Sequence, residues 1–143
     1  MVTLQTFIQR VDTLKTFIEK EFKHILVNES DQVVNMIQEQ HHAGQGSDDK
    51  TMQTGYSSGY TKRRKKKGLQ TRYVDLHFSG KYHKGLKVKP AEDGVDVESN
   101  VEYEEYIRER FGTAVGLTSA NAKQISEIVA NILTPKIKKH LVK

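Results

Sequence analysis

The sequence predicts an α+β fold in one domain. Amphipathic helical periods occupy both ends of the 143-residue chain, and a stretch between them alternates apolar and polar residues around a tight-turn signal. A chain of this length can bury one sizeable core but not two. We therefore expect a long N-terminal helix or helix pair (1–43), a Gly-rich and basic loop (44–72), a small antiparallel sheet with a central hairpin (73–100), and C-terminal helices packed on the sheet (101–143).

The N-terminal segment carries the clearest helical pattern. Its apolar residues recur at steps of three and four: Leu4, Phe7, Ile8, Val11, Leu14, Ile18, Phe22 and Ile25. Neither Pro nor Gly interrupts it, so about 22 residues would form a rod roughly 33 Å long. Such a rod either packs on the core along its length or projects one end towards a neighbouring subunit. Ser30 or Asp31 suits the N-cap of a second helix, which ends at Gly44.

The segment from Gly44 to Gly59 predicts a loop, because it is rich in glycine and has almost nothing to bury. Its spacing matches neither a phosphate-binding loop nor an EF-hand. The adjacent His41 and His42 would point about 100° apart on a helix. They also lack a histidine four residues away, so we expect a solvated helix end and no metal site.

Positive charge is concentrated between Lys62 and Arg72. This block holds seven of the 23 basic residues and no acid, whereas the rest of the chain carries 16 basic and all 18 acidic residues. The candidate contacts for DNA or for an acidic partner are Lys62, Arg63, Arg64, Lys65, Lys66, Lys67 and Arg72. Tyr60 to Lys67 has room for two helical turns ended by Gly68. Because these charges repel one another, the helix has to be docked, neutralised by a partner, or mobile.

Two regions predict strands. Apolar and polar residues alternate from Tyr73 to Phe78, as in a half-buried strand. A structural turn at Ser79-Gly80 follows, where we expect Gly80 to have a positive φ or to lie against close backbone. Leu86–Lys89 and Val95–Ser99 then predict an antiparallel hairpin around the turn signal Ala91-Glu92-Asp93-Gly94.

The last third of the chain predicts helices. One apolar stripe, ended by Gly112, consists of Val101, Tyr103, Ile107 and Phe111. Thr118 or Ser119 suits the N-cap of the final helix, which Pro135 is expected to bend or end near Thr134. Tyr103 and its neighbour Tyr106 fit a core or an interface better than a catalytic role.

Composition and spacing restrict the function classes. The chain has no Cys, which excludes disulfides and thiolate chemistry. It has no apolar run long enough for a membrane span, so we expect neither a transmembrane nor a secreted protein. Asp75, His77 and His83 amount to a chance cluster, because no nucleophile, base and orienting group fall together. We therefore expect no enzyme, no catalytic residue, no cofactor and no bound metal.

Several short motifs occur in a recognisable order. They are Gly55-Tyr56, Lys65-Lys66-Lys67-Gly68, Leu76-x-x-Ser79-Gly80-x-x-x-x-Gly85, Tyr103 ahead of Phe111-Gly112, and Gly116-Leu117-Thr118 before the last helix. In this order, from about Gly55 to Leu141, the chain resembles the virion morphogenesis and tail completion proteins of tailed bacteriophages. It departs from their pattern at Ser79, where Thr is usual, and at residues 113–115, which replace a Pro-rich approach. Neck adaptor, tail completion protein and tail terminator all stay open.

The resemblance implies a structural virion protein of the neck or tail, a ring subunit at the head–tail junction that lines or seals the DNA passage. Its implied partners are copies of itself and the portal, adaptor or tail proteins, and no membrane is implied. The resemblance also implies that the virion assembles in the cytoplasm of the bacterial host. In such a ring the basic block contacts the backbone of the packaged DNA without sequence preference. Otherwise it docks on an acidic face, such as the Glu-rich helix 101–110 of the adjacent copy, or stays solvated.

An alternative from another class is a small basic protein that binds nucleic acid independently of sequence. Such proteins combine cations with aromatic side chains on which bases stack. In the sequence, only Tyr60 and Tyr73 flank the basic block and no aromatic residue lies within it. Aromatic residues interleaved with the cations would therefore favour this alternative.

Overall fold

The computed structural model describes residues 2–92 and 94–143. Its helices are α1 (Leu4–Asp12), α2 (Leu14–Asn28), α3 (Ser30–His42), α4 (Ser58–Lys66), α5 (Lys81–Lys84), α6 (Glu104–Arg110) and α7 (Ser119–Val142). The strands β1 (Leu86–Ala91) and β2 (Gly94–Ser99) form one antiparallel sheet, and a 3-10 turn (Gly112–Val115) precedes α7. The predicted α+β class is confirmed. None of the helices in these residues is long and apolar enough to cross a membrane.

The predicted N-terminal rod is divided in two. α1 ends at Asp12 and α2 begins at Leu14, although neither Pro nor Gly lies between them. The Thr13 hydroxyl donates to the Arg10 carbonyl (3.1 Å), a local hydrogen bond of the kind that competes with a regular helix. α3 follows after one residue, and Glu29 occupies its N-cap instead of the predicted Ser30 or Asp31. α3 ends as predicted, shortly before Gly44, whose φ is +73°.

The core lies where α2 and α3 meet the hairpin. Its buried side chains are Ile25, Leu26, Val33, Met36, Ile37, Tyr82, Leu86, Val97, Ile107, Ala114, Ile125 and Val129. α6 reaches the sheet through Arg108, whose Nη2 donates to the Val97 carbonyl (2.6 Å). α7 packs along α1 and α2. Ile125 and Val129 of α7 belong to the same buried cluster as Leu86 and Val97 of the hairpin.

Pro135 does not end α7, which contradicts that part of the prediction. The helix continues from Ser119 to Val142 with Pro135 inside it. Lys136 Nζ donates to Glu21 Oε2 (2.5 Å), and the His140 ring stacks on Phe17 with 4.2 Å between centroids. These contacts hold the part of α7 that follows Pro135 against α2. Thr118 is the N-cap, as predicted, and its hydroxyl accepts from the Asn121 N–H (3.3 Å).

The hairpin is confirmed and is slightly longer than predicted. Leu86 pairs with Ser99 and Val88 with Val97, which turns alternate side chains towards the helices. The pairing of the two strands continues into the predicted turn, as far as Ala91 and Gly94. Asp93, the third residue of that turn signal, lies outside the described residues.

The strand predicted from Tyr73 to Phe78 is wrong. Tyr73 forms an isolated bridge with Thr54, and the Val74 N–H donates to the Gln53 carbonyl (2.9 Å), but the following residues are irregular. Val74 and Asp75 are both buried, so the alternation does not separate an inner from an outer face. Leu76 has φ +54°, which turns the chain out of any strand direction. The segment ends at the predicted Ser79-Gly80 turn, and α5 follows it instead of a strand.

Gly80→Ala tests the turn. Gly80 has φ +84°, whereas an added Cβ would lie 3.4 Å from His77 Cε1, an ordinary contact. The cost therefore arises from the backbone, and we expect the free energy of unfolding to fall by about 1–2 kcal/mol. Urea denaturation followed by circular dichroism measures it. Gly59→Ala in the first turn of α4, where an added Cβ meets open space, is the control and should leave stability unchanged or slightly raised. Equal midpoints for both variants would contradict the assignment.

Candidate nucleic-acid interface

The basic block forms a helix, as predicted. α4 begins after Ser57, whose hydroxyl accepts from the Tyr60 N–H (3.4 Å), and its end is followed by Gly68 at φ +70°. Nine residues with so many like charges make a weak helix in isolation. Of the three predicted states, docked, neutralised or mobile, the structure has the first. The docking contact comes from inside the basic block itself.

Arg64 is the docking residue, and its side chain is 1% exposed. Its Nε donates to the Gln70 carbonyl (2.7 Å), and its Nη1 donates to the His77 carbonyl (2.7 Å). Its Nη2 lies 3.1 Å and 3.0 Å from the two carboxylate oxygens of Asp75. The guanidinium also lies 4.4 Å from the centre of the Tyr56 ring. Arg64 therefore leaves the predicted set of surface contacts, because no partner can reach it.

Asp75 is the other half of this buried pair and is itself surrounded by donors. It accepts from Gln70 Nε2 (2.8 Å), from the His77 N–H (3.0 Å) and from the Tyr56 hydroxyl (3.2 Å). Burial raises the pKa of Tyr56 to about 12, so this phenol stays protonated and donates. A buried ion pair is tolerated only where further hydrogen bonds satisfy both ions. Asp75 thus belongs to the anchor of α4, a role that its sequence neighbours did not indicate.

The other six predicted contacts are exposed: Lys62, Arg63, Lys65, Lys66, Lys67 and Arg72. None of them takes part in an ion pair with another of the described residues. At about 100° per residue, Lys62 and Lys66 point away from Arg64, and Arg63 and Lys65 point to either side. The buried arginine therefore leaves Lys62, Arg63, Lys65 and Lys66 as the exposed cationic face of α4, with Lys67 directly after it.

An aromatic cleft lies beside α4. It has a volume of about 770 Å³ and is lined from the α4 side by Tyr56 and Tyr60, from the turn by Phe78, and from α6 by Tyr103 and Tyr106. Phe78 also touches the cationic face, since Lys67 Nζ lies 4.4 Å and the Arg63 guanidinium 5.4 Å from its ring centre. Folding has therefore brought to the basic helix the aromatic groups that the linear sequence does not place there. Tyr103 (46% exposed) and Tyr106 (57% exposed) are the most exposed of its aromatic residues.

Four histidines form a second cluster, which shares His77 with the lining of the cleft. The ring of His83 lies 5.1 Å from those of His41 and His42 and 5.6 Å from that of His77, between centroids. His41 Nε2 lies 2.6 Å from the Ala114 carbonyl, which can only accept, so this nitrogen carries the proton. His41 Nδ1 then accepts from His83 Nε2 (3.1 Å). The hydrogen bonds thus define one tautomer for each of these two rings.

The histidine cluster corrects the prediction of a solvated helix end. His42 is exposed, but His41 is completely buried. Burial lowers the pKa of His41, and burial together with the nearby histidines lowers the pKa of His83 to about 4. The partners of His41 lie 42 and 73 residues along the chain, so local spacing could not reveal them. Over residues 2–92 and 94–143, no group of three or more His, Asp or Glu side chains is arranged to hold a metal ion.

Comparisons of the chain with protein-family models, with curated proteins and with solved structures find no match.

Arg64→Lys tests the anchor. A lysine keeps the charge, but its ammonium cannot reach both backbone carbonyls and both Asp75 oxygens in the fixed planar arrangement of a guanidinium. We expect the free energy of unfolding to fall by about 2–4 kcal/mol. Lys66→Arg, an exchange of the same two residue types at an exposed position of the same helix, should change it by less than about 0.5 kcal/mol. Urea denaturation measures both, and an Arg64→Lys midpoint equal to that of the unsubstituted protein would contradict the proposed anchor.

Acid should destabilise the fold through the histidine cluster. The folded-state pKa of His83, about 4, lies below the ordinary value of 6.5, so between these values the unfolded chain binds more protons. The stability contributed by neutral His83 is complete above pH 6.5 and is lost as the pH falls towards about 4. Urea midpoints at about pH 7.5, 6 and 5 measure it. His83→Gln should flatten the pH dependence, whereas His24→Gln, at an exposed site on α2, should preserve it. A midpoint that is constant with pH in the unsubstituted protein would contradict the prediction.

Proposed function

We propose that this protein is a structural subunit of a tailed-bacteriophage virion, assembled as a ring at the head–tail junction, with α4 directed at the DNA passage. The order of motifs from Gly55 to Leu141 suggests this class. The observation that carries the proposal is the cationic face of α4, which is exposed, unpaired within the described residues and oriented by a buried anchor. A ring through which DNA moves does not need to recognise bases, and contacts to phosphate carry no sequence information.

Electrostatics makes α4 suitable for this role. Outside the basic block, the acidic residues of the chain outnumber the basic ones by 18 to 16. DNA would therefore be attracted to one element and not to the whole surface. Each lysine or arginine that approaches a phosphate releases condensed counterions, which gives affinity without sequence preference. Arg64 contributes to this only indirectly, by holding the exposed side chains in place.

Apolar surface on α1 supports association with other subunits. Leu4 is 75%, Ile8 and Val11 are each 45%, and Phe7 is 39% exposed, and all four lie on one short helix. Contiguous apolar surface of this kind marks interaction sites in proteins that remain soluble. Copies of the chain and adjoining portal, adaptor or tail proteins are the partners that the proposal requires.

Two other uses of α4 compete with this proposal. The cationic face is also complementary to α6 of an adjacent copy, where Glu105 and Glu109 are exposed. In the second alternative, α4 belongs to a free-standing protein that binds nucleic acid. The aromatic cleft beside α4 is the observation that favours it. The titration below separates the DNA contact from the subunit contact.

A duplex-binding titration with Lys65→Glu/Lys66→Glu tests the DNA contact. The unsubstituted protein should bind duplexes of any sequence weakly, and with four to six phosphate contacts the slope of log affinity against log salt should be about −4 to −5. The double variant should bind more weakly and lower the steepness by about 2. Lys138→Glu/Lys139→Glu is the matched control, because it makes the same charge change at adjacent exposed lysines of α7. Fluorescence anisotropy at several salt concentrations measures all three.

Assembly is the second readout of the same variants. Electron microscopy of particles with a tagged chain should find it in a symmetric ring at the head–tail junction, and the α7 control variant should still enter particles. A salt-independent titration together with failed assembly of the α4 variant would reject the DNA contact and leave the subunit contact. A chain that is free in the infected cell and absent from particles would reject the virion proposal.

A further inference from the structure

The cleft beside α4 is unusual in what lines it. Five of the six tyrosines of the chain take part, and Phe78 and Phe111 join them. Arg64, Lys81 and Arg110 are the charged residues, so among residues 2–92 and 94–143 the lining contains no carboxylate. Asp75 pairs with Arg64, whereas Lys81 and Arg110 form no ion pair with another of the described residues. These properties fit a flat aromatic ligand that carries negative charge.

The cleft and the cationic face are continuous at Phe78. Its ring is in contact with Arg63 of α4 and with Lys67, the residue directly after this helix, and its side chain also lines the cleft. On the opposite wall, Arg110 Nη1 donates to the Tyr106 hydroxyl (3.3 Å), which holds a second cation at the rim. A ligand with its ring in the cleft would therefore have its charged part close to exposed cations.

We propose that this cleft binds an unpaired nucleobase of single-stranded nucleic acid, while the phosphates on either side lie along the cations of α4 and the rim. Such sites combine a basic groove with aromatic side chains, and they accept any base because every base has an aromatic face. The inference goes beyond the proposed function, which requires only contact of α4 with the duplex backbone. A base paired within a duplex cannot enter the cleft without being unstacked.

An acidic peptide is the other ligand that cations would attract. It would pair with Lys81, Arg110 and α4, but its carboxylates would gain little from walls made of tyrosine and phenylalanine. A single strand uses both features, because its backbone alternates charge with flat rings. The observations therefore favour nucleic acid, and the peptide becomes an outcome of the test.

The test compares three probes by fluorescence anisotropy: a labelled dT strand of about 15 nucleotides, an abasic strand of the same length, and a duplex. Stacking of one base contributes about 5- to 100-fold in affinity, so the dT strand should bind at least 5-fold tighter than the abasic strand. Tyrosine emission should also be quenched by dT, since the chain has no Trp and five of its six tyrosines line the cleft. Abasic and duplex probes should quench little.

Tyr106→Ala is the test variant, because Tyr106 is 57% exposed and its removal should not disturb the core. It should remove the preference for dT over the abasic strand and leave duplex binding unchanged. Phe7→Ala, at a 39% exposed aromatic residue on α1 far from the cleft lining, is the control and should retain the preference. Phe78→Leu is a second test variant that keeps an apolar side chain and should weaken the preference.

Two results would overturn the inference. Equal affinity for the dT and abasic strands would mean that no base enters the cleft, and duplex binding with its salt dependence would still support the proposed function. Binding of a labelled peptide of residues 101–110, lost in Tyr106→Ala, with no preference for dT, would make the cleft a protein-docking site. Loss of duplex binding with retained dT preference would instead reject the DNA contact of the ring proposal and keep this inference.

Discussion

The buried pair of Arg64 and Asp75 is the interaction on which the geometry of the candidate interface depends. Two ions removed from water are costly unless hydrogen bonds replace their hydration. Here the guanidinium reaches both carboxylate oxygens and two backbone carbonyls, and the carboxylate also accepts from Gln70 and Tyr56. The pair therefore fixes α4, the preceding loop and the 70–77 segment together. If one of these parts moves, a buried charge loses its partners.

A second polar network holds the same segment from its other end. His83 lies in α5, His41 lies in α3, and the Ala114 carbonyl belongs to the 3-10 turn before α7. Between the two networks the backbone passes through positive φ at Leu76 and at Gly80. Such conformations persist where the surroundings determine them strongly. The segment from 75 to 83 thus connects the basic helix to the core and is held by hydrogen bonds near both of its ends, although it contains little regular structure.

Periodicity predicted the regular elements, because it reflects which face of an element is buried. The helices at both ends and the hairpin from Leu86 to Ser99 follow from it. The caps at Gly44 and Thr118 and the helix in the basic block follow instead from residue types that begin or end helices. Arg64 could not be identified in this way, since its neighbours are also lysine or arginine and its carboxylate lies 11 residues away. The strand predicted around Asp75 was wrong for a related reason. A buried, paired carboxylate between apolar residues has the same pattern as the exposed face of a strand.

The sequence predicted only part of the candidate site. The part that it missed depends on which residues the fold brings together. Six exposed cations were identified from composition, but the aromatic residues beside them include Tyr56, Phe78 and, 37 and 40 residues beyond the end of α4, Tyr103 and Tyr106. The anchor explains why these groups can act together. Because Arg64 fixes α4, the exposed lysines and arginines lose less freedom when a ligand binds than they would on a mobile loop. Asp75 of the same pair accepts a hydrogen bond from the Tyr56 hydroxyl, and the pair also fixes the turn before Phe78. The cleft is therefore formed before any ligand binds. One buried ion pair therefore preorganises both surfaces, and a substitution that breaks it should weaken duplex contact and base binding together.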